Sequence, residues 1–289
     1  MTYRQILSEA EVILKSAGIH EYKSDSWLLF EYAFGMNRTG YLIKADEEIL
    51  PDKENVIMSF KAMINERATR RPLQHITGVQ EFYGLEFMVN ENVLIPRQDT
   101  EILVENAMGI IKDSGYKVLD MCTGSGCIAI TLAKNCRNSM VTGVDISTEA
   151  LKVSEINKIK NSVKNVNFLQ SNLFENINDK YNVIVSNPPY IESDVIDTLM
   201  QEVKDFEPRL ALDGEADGLK FYREITNKSL GYILPDGYLL YEIGHNQGKA
   251  VSSIMKENGY TSVKVIKDLA GLDRVVVGHF PAEMEENNV

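Results

Sequence analysis

The chain has 289 residues, of which 44% are hydrophobic and 25% charged, a balance that suits a soluble globular protein with room for one or two cores. The formal net charge is −12, and residues 1–80 hold 10 Lys/Arg against 11 Asp/Glu while the rest holds 20 against 31, so an acidic surface disfavours nucleic acid as the main substrate and leaves a protein or small-molecule partner open. No apolar run approaches a membrane span, the start lacks a signal-peptide layout, and Cys122, Cys127 and Cys136 are odd in number and crowded; the expected setting is the cytoplasm, with reduced thiols, no metal site and no membrane partner.

In chain order, Ile6, Ala10, Ile13 and Leu14 recur at helical spacing over residues 3–17, and Gly18 supplies a stop. Asp25-Ser26 opens a second helical run to Phe34, closed by Gly35, and residues 51–69 read as at least one more helix. Residues 1–78 are therefore expected to form a small helical domain. Its one basic cluster, Lys61, Arg67, Arg70 and Arg71, reads as a solvated helix end. Next come the β-formers Phe82, Tyr83, Leu85, Phe87 and Val89, the turn signal Asn90-Glu91-Asn92, and the apolar Val93-Leu94-Ile95, which predict a hairpin linker over 79–95. Pro96-Arg97-Gln98-Asp99-Thr100-Glu101 then suits the first turn of a helix.

From Lys117 the pattern alternates strand and helix, with strands expected near 117–121, 140–145, 166–170, 181–186, 237–243, 262–268 and 273–279. Such alternation predicts an α/β fold with a doubly wound, mostly parallel seven-stranded sheet over residues 96–281. Only Ala270-Gly271-Leu272 separates the last two strands, so these form an antiparallel hairpin at or near an edge. The acidic tail, 282–289, reads as disordered from Glu283.

The first of these strands ends in Asp120-Met121-Cys122-Thr123-Gly124-Ser125-Gly126, with Ala129 following, a G-x-G-x-x-A pattern between strand and helix. About 20 residues on, the second strand ends at Asp145, followed by Ile146, where a carboxylate can accept two ribose hydroxyls. The glycines alone fit NAD as well as S-adenosylmethionine. Asp120, inside the strand, favours the latter, because a carboxylate there meets an ammonium or holds the loop and offers a pyrophosphate nothing. At the third strand end, Asn172 is placed to bond an adenine edge and Leu173 to cover its face, although Asn172 serves equally as a cap or turn. The fourth strand stops in Asn187-Pro188-Pro189-Tyr190, a stiff loop whose acceptors suit a planar group bearing an NH2. In a sheet ordered 3-2-1-4 this loop faces the glycine turn across one crevice.

Together, Asp120-x-x-x-Gly124-x-Gly126 and Asn187-Pro188-Pro189-Tyr190 resemble the S-adenosylmethionine-dependent amino-methyltransferases, whose fold is the Rossmann-like class I methyltransferase sheet. The helical N-terminal domain, Arg71-Pro72-Leu73-Gln74-His75-Ile76-Thr77-Gly78, the hairpin, Leu94-Ile95-Pro96-Arg97, Glu207-Pro208-Arg209 and Glu242-Ile243-Gly244 narrow the resemblance to the glutamine N5-methyltransferases of peptide chain release factors. The likeness runs from about residue 3 to Gly278. Three positions depart from the family pattern: Cys122 replaces a usual glycine, which is harmless if the backbone there does not need a positive φ; Gln98-Asp99 replaces Pro-Glu; and Asn172 replaces a common Asp.

The resemblance implies methylation of the Gln in the Gly-Gly-Gln motif of class 1 release factors, with the helical domain as a docking module. Asn187 and Pro188 are then the catalytic pair, Pro189 and Tyr190 complete the substrate loop, and Asp120, Cys122, Thr123, Gly124, Ser125, Gly126, Asp145, Ile146, Asn172, Leu173 and Asn187 hold the cofactor. Arg97 and Glu101 either organise the entrance or merely start a helix, and His245 reads as a loop or cap residue. Two rivals stay open: an amino-methyltransferase acting on adenine or cytosine, and a nucleotide-binding module without catalysis.

Overall fold

Runs of β-branched and aromatic residues bounded by turn signals form strands close to where the sequence places them. The computed structural model describes residues 1–112 and 114–282; the predicted disordered tail lies outside the described residues. Among the described residues the strands are β1 (Val79–Phe82), β2 (Leu85–Met88), β3 (Lys117–Met121), β4 (Met140–Asp145), β5 (Val166–Gln170), β6 (Tyr181–Ser186), β7 (Ile233–Glu242), β8 (Thr261–Lys267) and β9 (Asp273–His279). Seven of them form one sheet in the order β5-β4-β3-β6-β7-β9-β8, parallel except for β9, which runs antiparallel to β7 and β8. This is the predicted doubly wound architecture with its terminal hairpin at the edge.

Both faces of the sheet are covered, as a parallel sheet requires. On one side Val118, Val183, Val185 and Leu240 pack with Leu103, Val104 and Ala107 of the helix Thr100–Ile111 and Ile128 and Leu132 of the helix Cys127–Asn135. On the other, Leu119, Ile184, Leu239 and Tyr241 meet Tyr222 and Ile225 of Lys220–Ser229 and Val251 and Met255 of Gly248–Glu257. The chain winds outward through β3, β4 and β5, then returns to place β6 on the other side of β3. The ends of β3 and β6 thus flank the point where the winding reverses, where open α/β sheets bind ligands.

Two details differ from the sequence reading. The hairpin exists, but its turn is Tyr83-Gly84, where φ is 52° and 70°; two successive positive values give the twist that closes a two-residue hairpin. Asn90 does make a turn, accepting from the backbone N–H of Asn92, yet Val93 leads into a small cluster with Val89, Ala150 and Val153 rather than a second strand. Nor does the hairpin stand apart as a linker: Phe82 and Phe87 are buried in the sheet core, and the Asn157 side chain bonds the Met88 N–H and carbonyl at 2.6 and 3.0 Å.

Contacts divide the chain into two compact units, Met1–Val79 with Met200–Phe206, and Gln80–Leu199 with the chain from Glu207 onward. The first is built on helices Tyr3–Ser16, Tyr22–Phe34 and Glu54–Ala68. Thr2 and Gln5 form a reciprocal capping box at the first helix, and Trp27, Phe30, Phe34 and Phe60 make an aromatic core. Ile13, expected on the apolar face, is exposed.

The basic cluster is not simply a solvated helix end. Arg67 is buried, its Nε bonded to Asp25 at 2.7 Å and its Nη2 to Glu202 at 3.1 Å, while Arg70 bonds Glu202 at 3.2 Å and the Gly18 carbonyl at 2.8 Å. Burial raises the Asp25 pKa even against the pull of Arg67, so the pair is costly to desolvate and worse to break. Arg67→Ala, leaving Asp25 buried without its cation, is expected to cost roughly 3 kcal/mol or more, measurable as a lower denaturant midpoint.

Candidate active site

A cleft of about 760 Å³ opens at the carboxyl ends of β3, β4 and β6. One wall is the turn after β3. Gly126 N–H donates to the Thr123 carbonyl at 2.8 Å, closing the turn, and Asp120 holds it from beneath: its Oδ2 accepts from Thr123 Oγ1 at 2.5 Å and from Ala129 N at 3.2 Å. The other oxygen, Oδ1, is buried without a hydrogen bond among the described residues. Burial raises the Asp120 pKa to about 7, against the pull of those two bonds.

The two glycines differ in purpose. At Gly124, φ is 54° and a Cβ would meet nothing within 4 Å, so bare backbone faces open space. At Gly126, φ is 79° and a Cβ would press on Phe168, Ile130 and Ser154 at 3.0–3.1 Å, so the residue serves close helix–strand packing.

Cys122 corrects the sequence reading, because its φ is 62°. The backbone does need the left-handed region, and cysteine pays a Cβ penalty that the family's usual glycine avoids. Cys122→Gly is expected to stabilise the protein by about 1 kcal/mol, read as a higher midpoint in thermal or chemical unfolding.

Asp145 ends β4 with Oδ2 accepting from Gly124 N and Oδ1 from Ser147 N, both at 2.9 Å. Each carboxylate oxygen keeps a lone pair for a further donor. Burial raises the Asp145 pKa despite these backbone bonds. Ile146 lines the cleft with an exposed side chain, and so does Asn172 after β5, whereas Leu173 lines it from a buried position. The Asn172 amide donates to Glu175 at 2.8 Å, and Leu173 has a φ of 52°.

The facing wall is the loop after β6. Ser186 Oγ donates to the Met121 carbonyl at 2.8 Å, joining the two walls at their base. Asn187 and Pro189 line the cleft, whereas Pro188 and Tyr190 do not border it. Tyr190 packs against the second core, with its hydroxyl 3.5 Å from Glu242 Oε1. Behind the loop, Gln247 Nε2 donates to the Tyr190 carbonyl at 3.0 Å, and Gly214 and Gly218 press so close that a Cβ on either would strike Tyr190 backbone.

The residues singled out from the sequence thus converge: Cys122, Thr123, Gly124, Ser125, Asp145, Ile146, Asn172, Leu173 and Asn187 all border one cleft, with Asp120 and Gly126 behind it. Arg97 also lines it, bonded to the buried Glu207 at 2.5 Å. Glu101 does not; it accepts from Tyr83 N at 2.8 Å and so fixes the hairpin turn. His245 is exposed in the turn before the helix Gly248–Glu257.

Two residues escaped the sequence reading of the site. Thr100, buried at the start of its helix, accepts from Asn187 Nδ2 at 3.5 Å. Glu242 is buried at the end of β7, and burial raises its pKa to about 7, while the nearby Thr100 hydroxyl and the charge of Arg274 favour the ionised form. An acidic residue ending the apolar run Tyr238–Tyr241 was the available signal.

Comparison with known proteins decides the family. The model described as PrmC N-terminal domain matches residues 5–78, and that described as Methyltransferase small domain matches residues 98–216. A release factor glutamine methyltransferase of Fusobacterium nucleatum subsp. nucleatum is 41% identical over 275 residues, spanning 94% of this chain and 77% of its own. Another, from Clostridium acetobutylicum, is 39% identical over 284 residues, spanning 96% and 98%. The chain belongs to the release factor glutamine methyltransferase family. As a member it is an S-adenosylmethionine-dependent methyltransferase. A methyltransferase from Pyrococcus furiosus shares the fold, with a TM-score of 0.52 at 16% identity over 76% of this chain and 98% of that one.

The cleft fits that cofactor. Asp145 has lone pairs to spare, Gly124 leaves its backbone bare, and Ile146 and Leu173 supply apolar surface beside them.

Glu242 also makes stability depend on pH in a definite direction. Its carboxyl binds a proton more tightly folded, at about 7, than at the ordinary value of 4.5. The resulting stabilisation is complete below pH 4.5 and disappears as pH rises through 7. Replacing it with neutral Gln is therefore expected to raise stability at pH 8 by on the order of 3 kcal/mol, and to flatten the fall between pH 4.5 and 7 in unfolding measurements.

Proposed function

We propose that this enzyme transfers a methyl group from S-adenosylmethionine to the side-chain amide nitrogen of the Gln in the Gly-Gly-Gln motif of class 1 release factors. The observation that carries this reading is the placement of Asn187: its NH2 is engaged by Thr100 at 3.5 Å, which leaves Oδ1 as the acceptor on a cleft shared with Gly124 and Asp145. The names of the relatives supply the substrate class. Such a substrate places the enzyme in the cytoplasm, and no helix among the described residues is long and apolar enough to cross a membrane.

A carboxamide nitrogen is a weak nucleophile, because its lone pair is delocalised into the carbonyl. Position therefore matters more than basicity. Asn187 Oδ1, on the cleft, and the Pro188 carbonyl, set back from its lining, accept the two N–H groups of the glutamine amide and aim its nitrogen. The bound cofactor supplies an electrophilic methyl group on a sulfonium centre. Positive charge then grows on the held nitrogen, so both acceptors bind the transition state more strongly than the ground state. The surplus proton leaves to water, since the N-methylated nitrogen is strongly acidic until it is lost. Orientation of this kind supplies on the order of 7 kcal/mol. When the cofactor is bound, Asp145 would hold its ribose hydroxyls and Asn172 and Leu173 would meet its adenine, while Asp120, buried behind the cleft, would hold the glycine turn. Tyr190, turned toward Glu242, stiffens the loop rather than stacking on the substrate.

Incubation with methyl-labelled S-adenosylmethionine and a class 1 release factor is expected to label the factor, and replacing the motif Gln with Ala should abolish the label. Equal label in both would falsify the assignment. Asn187→Ala is expected to lower kcat by on the order of 100-fold while leaving cofactor affinity nearly unchanged; a matching loss of affinity would show Asn187 to be a cofactor residue instead.

A further inference from the structure

A primary amide is nearly symmetric in shape, and turned by half a rotation Asn187 would present a donor where the glutamine amide needs an acceptor. Something must hold its polarity. Thr100 is the residue in place to do so, a buried residue at the cleft wall with Oγ1 at 3.5 Å from Asn187 Nδ2. A hydroxyl has one proton to give. That proton is free to turn toward the nearby Glu242 carboxylate, whose ionised form Thr100 favours and which can only accept. What remains facing Asn187 is a lone pair, which only the NH2 end of the amide satisfies. The same carboxylate lies 3.5 Å from the Tyr190 hydroxyl, so it underlies both ends of the Asn187–Tyr190 loop.

Glu242 is flanked by Arg274, which favours its charge, and by Asp99, which opposes it; Arg274 also bonds Asp99 at 3.0 Å and Asp268 at 3.2 Å. A buried carboxylate that lowers stability at neutral pH calls for a reason beyond packing. Long contacts in a ligand-free site are common and shorten when substrate is held.

We propose that Thr100 and Glu242 are positioning residues that set the polarity of the Asn187 amide, keeping Oδ1 toward the substrate nitrogen. This inference rests on the reading of Asn187 as the acceptor, and the experiment separates the two. Methyl transfer to a release factor is measured for Asn187→Ala, Thr100→Val, Thr100→Ser and Glu242→Gln, with S-adenosylmethionine affinity measured calorimetrically for each. The Asn187 side-chain amide is followed by 15N NMR in the wild type and the Thr100 variants.

The expected result is a kcat lowered roughly tenfold in Thr100→Val, the worth of one net hydrogen bond, with cofactor affinity unchanged and turnover restored in Thr100→Ser. Glu242→Gln should lose turnover severalfold although it is more stable at pH 8, which a structural role alone would not produce. The Asn187 NH2 should exchange faster with water in Thr100→Val than in Thr100→Ser. If Asn187→Ala is inactive while Thr100→Val turns over normally, the polarity relay is wrong and the Asn187 reading stands. A failure of Thr100→Ser to restore turnover, or a Thr100→Val defect confined to cofactor affinity, also overturns the relay. Full activity in Asn187→Ala removes both.

Discussion

The parallel pairing of β3 with β6, in a register that sets Met121 beside Ser186, is the constraint on which the site depends. The residues just beyond this pair are Cys122 on one strand and Asn187 on the other. Two loops far apart in sequence are thereby brought to either side of one cleft without any contact between them being needed to hold it open. The Ser186 hydroxyl bond to the Met121 carbonyl pins that register at the cleft floor. Slippage by one residue would turn the side chains of β6 to opposite faces. It would carry Val183 and Val185 out of one core and Ile184 out of the other.

Around this floor the walls are stiffened by different means. The turn after β3 is held by a buried carboxylate, Asp120, acting on a hydroxyl and a helix N–H. The loop after β6 is held by proline geometry, by Gln247 and by two glycines that allow the chain at 214 and 218 to lie against Tyr190. Both walls are costly: Asp120 and Glu242 are buried acids whose burial opposes their charge. Stability is given up near the chemistry and recovered in the two apolar layers that flank the sheet.

Strand positions were legible because buried parallel strands are short apolar runs with hard stops, as Tyr181–Val185 before Asn187-Pro188 shows. The glycine turn, Asp145 and the proline loop were legible for the same reason: each follows a strand end, where topology alone brings them together. The hairpin turn was misplaced because Asn90-Glu91-Asn92 is the stronger local turn signal, whereas Tyr83-Gly84 becomes a turn by closing a twisted pair anchored through Glu101 and Asn157. The left-handed Cys122 was hidden because only the assembled turn imposes that φ. Thr100 meets Asn187 across 87 residues of sequence and Glu242 meets Tyr190 across 52, and local pattern carries no trace of such pairings. Arg67 looked like surface because its partners, Asp25 and Glu202, lie on distant segments.

The placement of Met200–Phe206 within the helical unit means that the backbone passes between the two units three times, near residues 79, 199 and 206. Glu207, Pro208 and Arg209 follow directly, the first bonding Arg97 and the other two lining the cleft. The helical unit is thus not an appendage that a single cut could remove. A truncated chain beginning at residue 80 would retain Glu202 without Arg67 and Arg70.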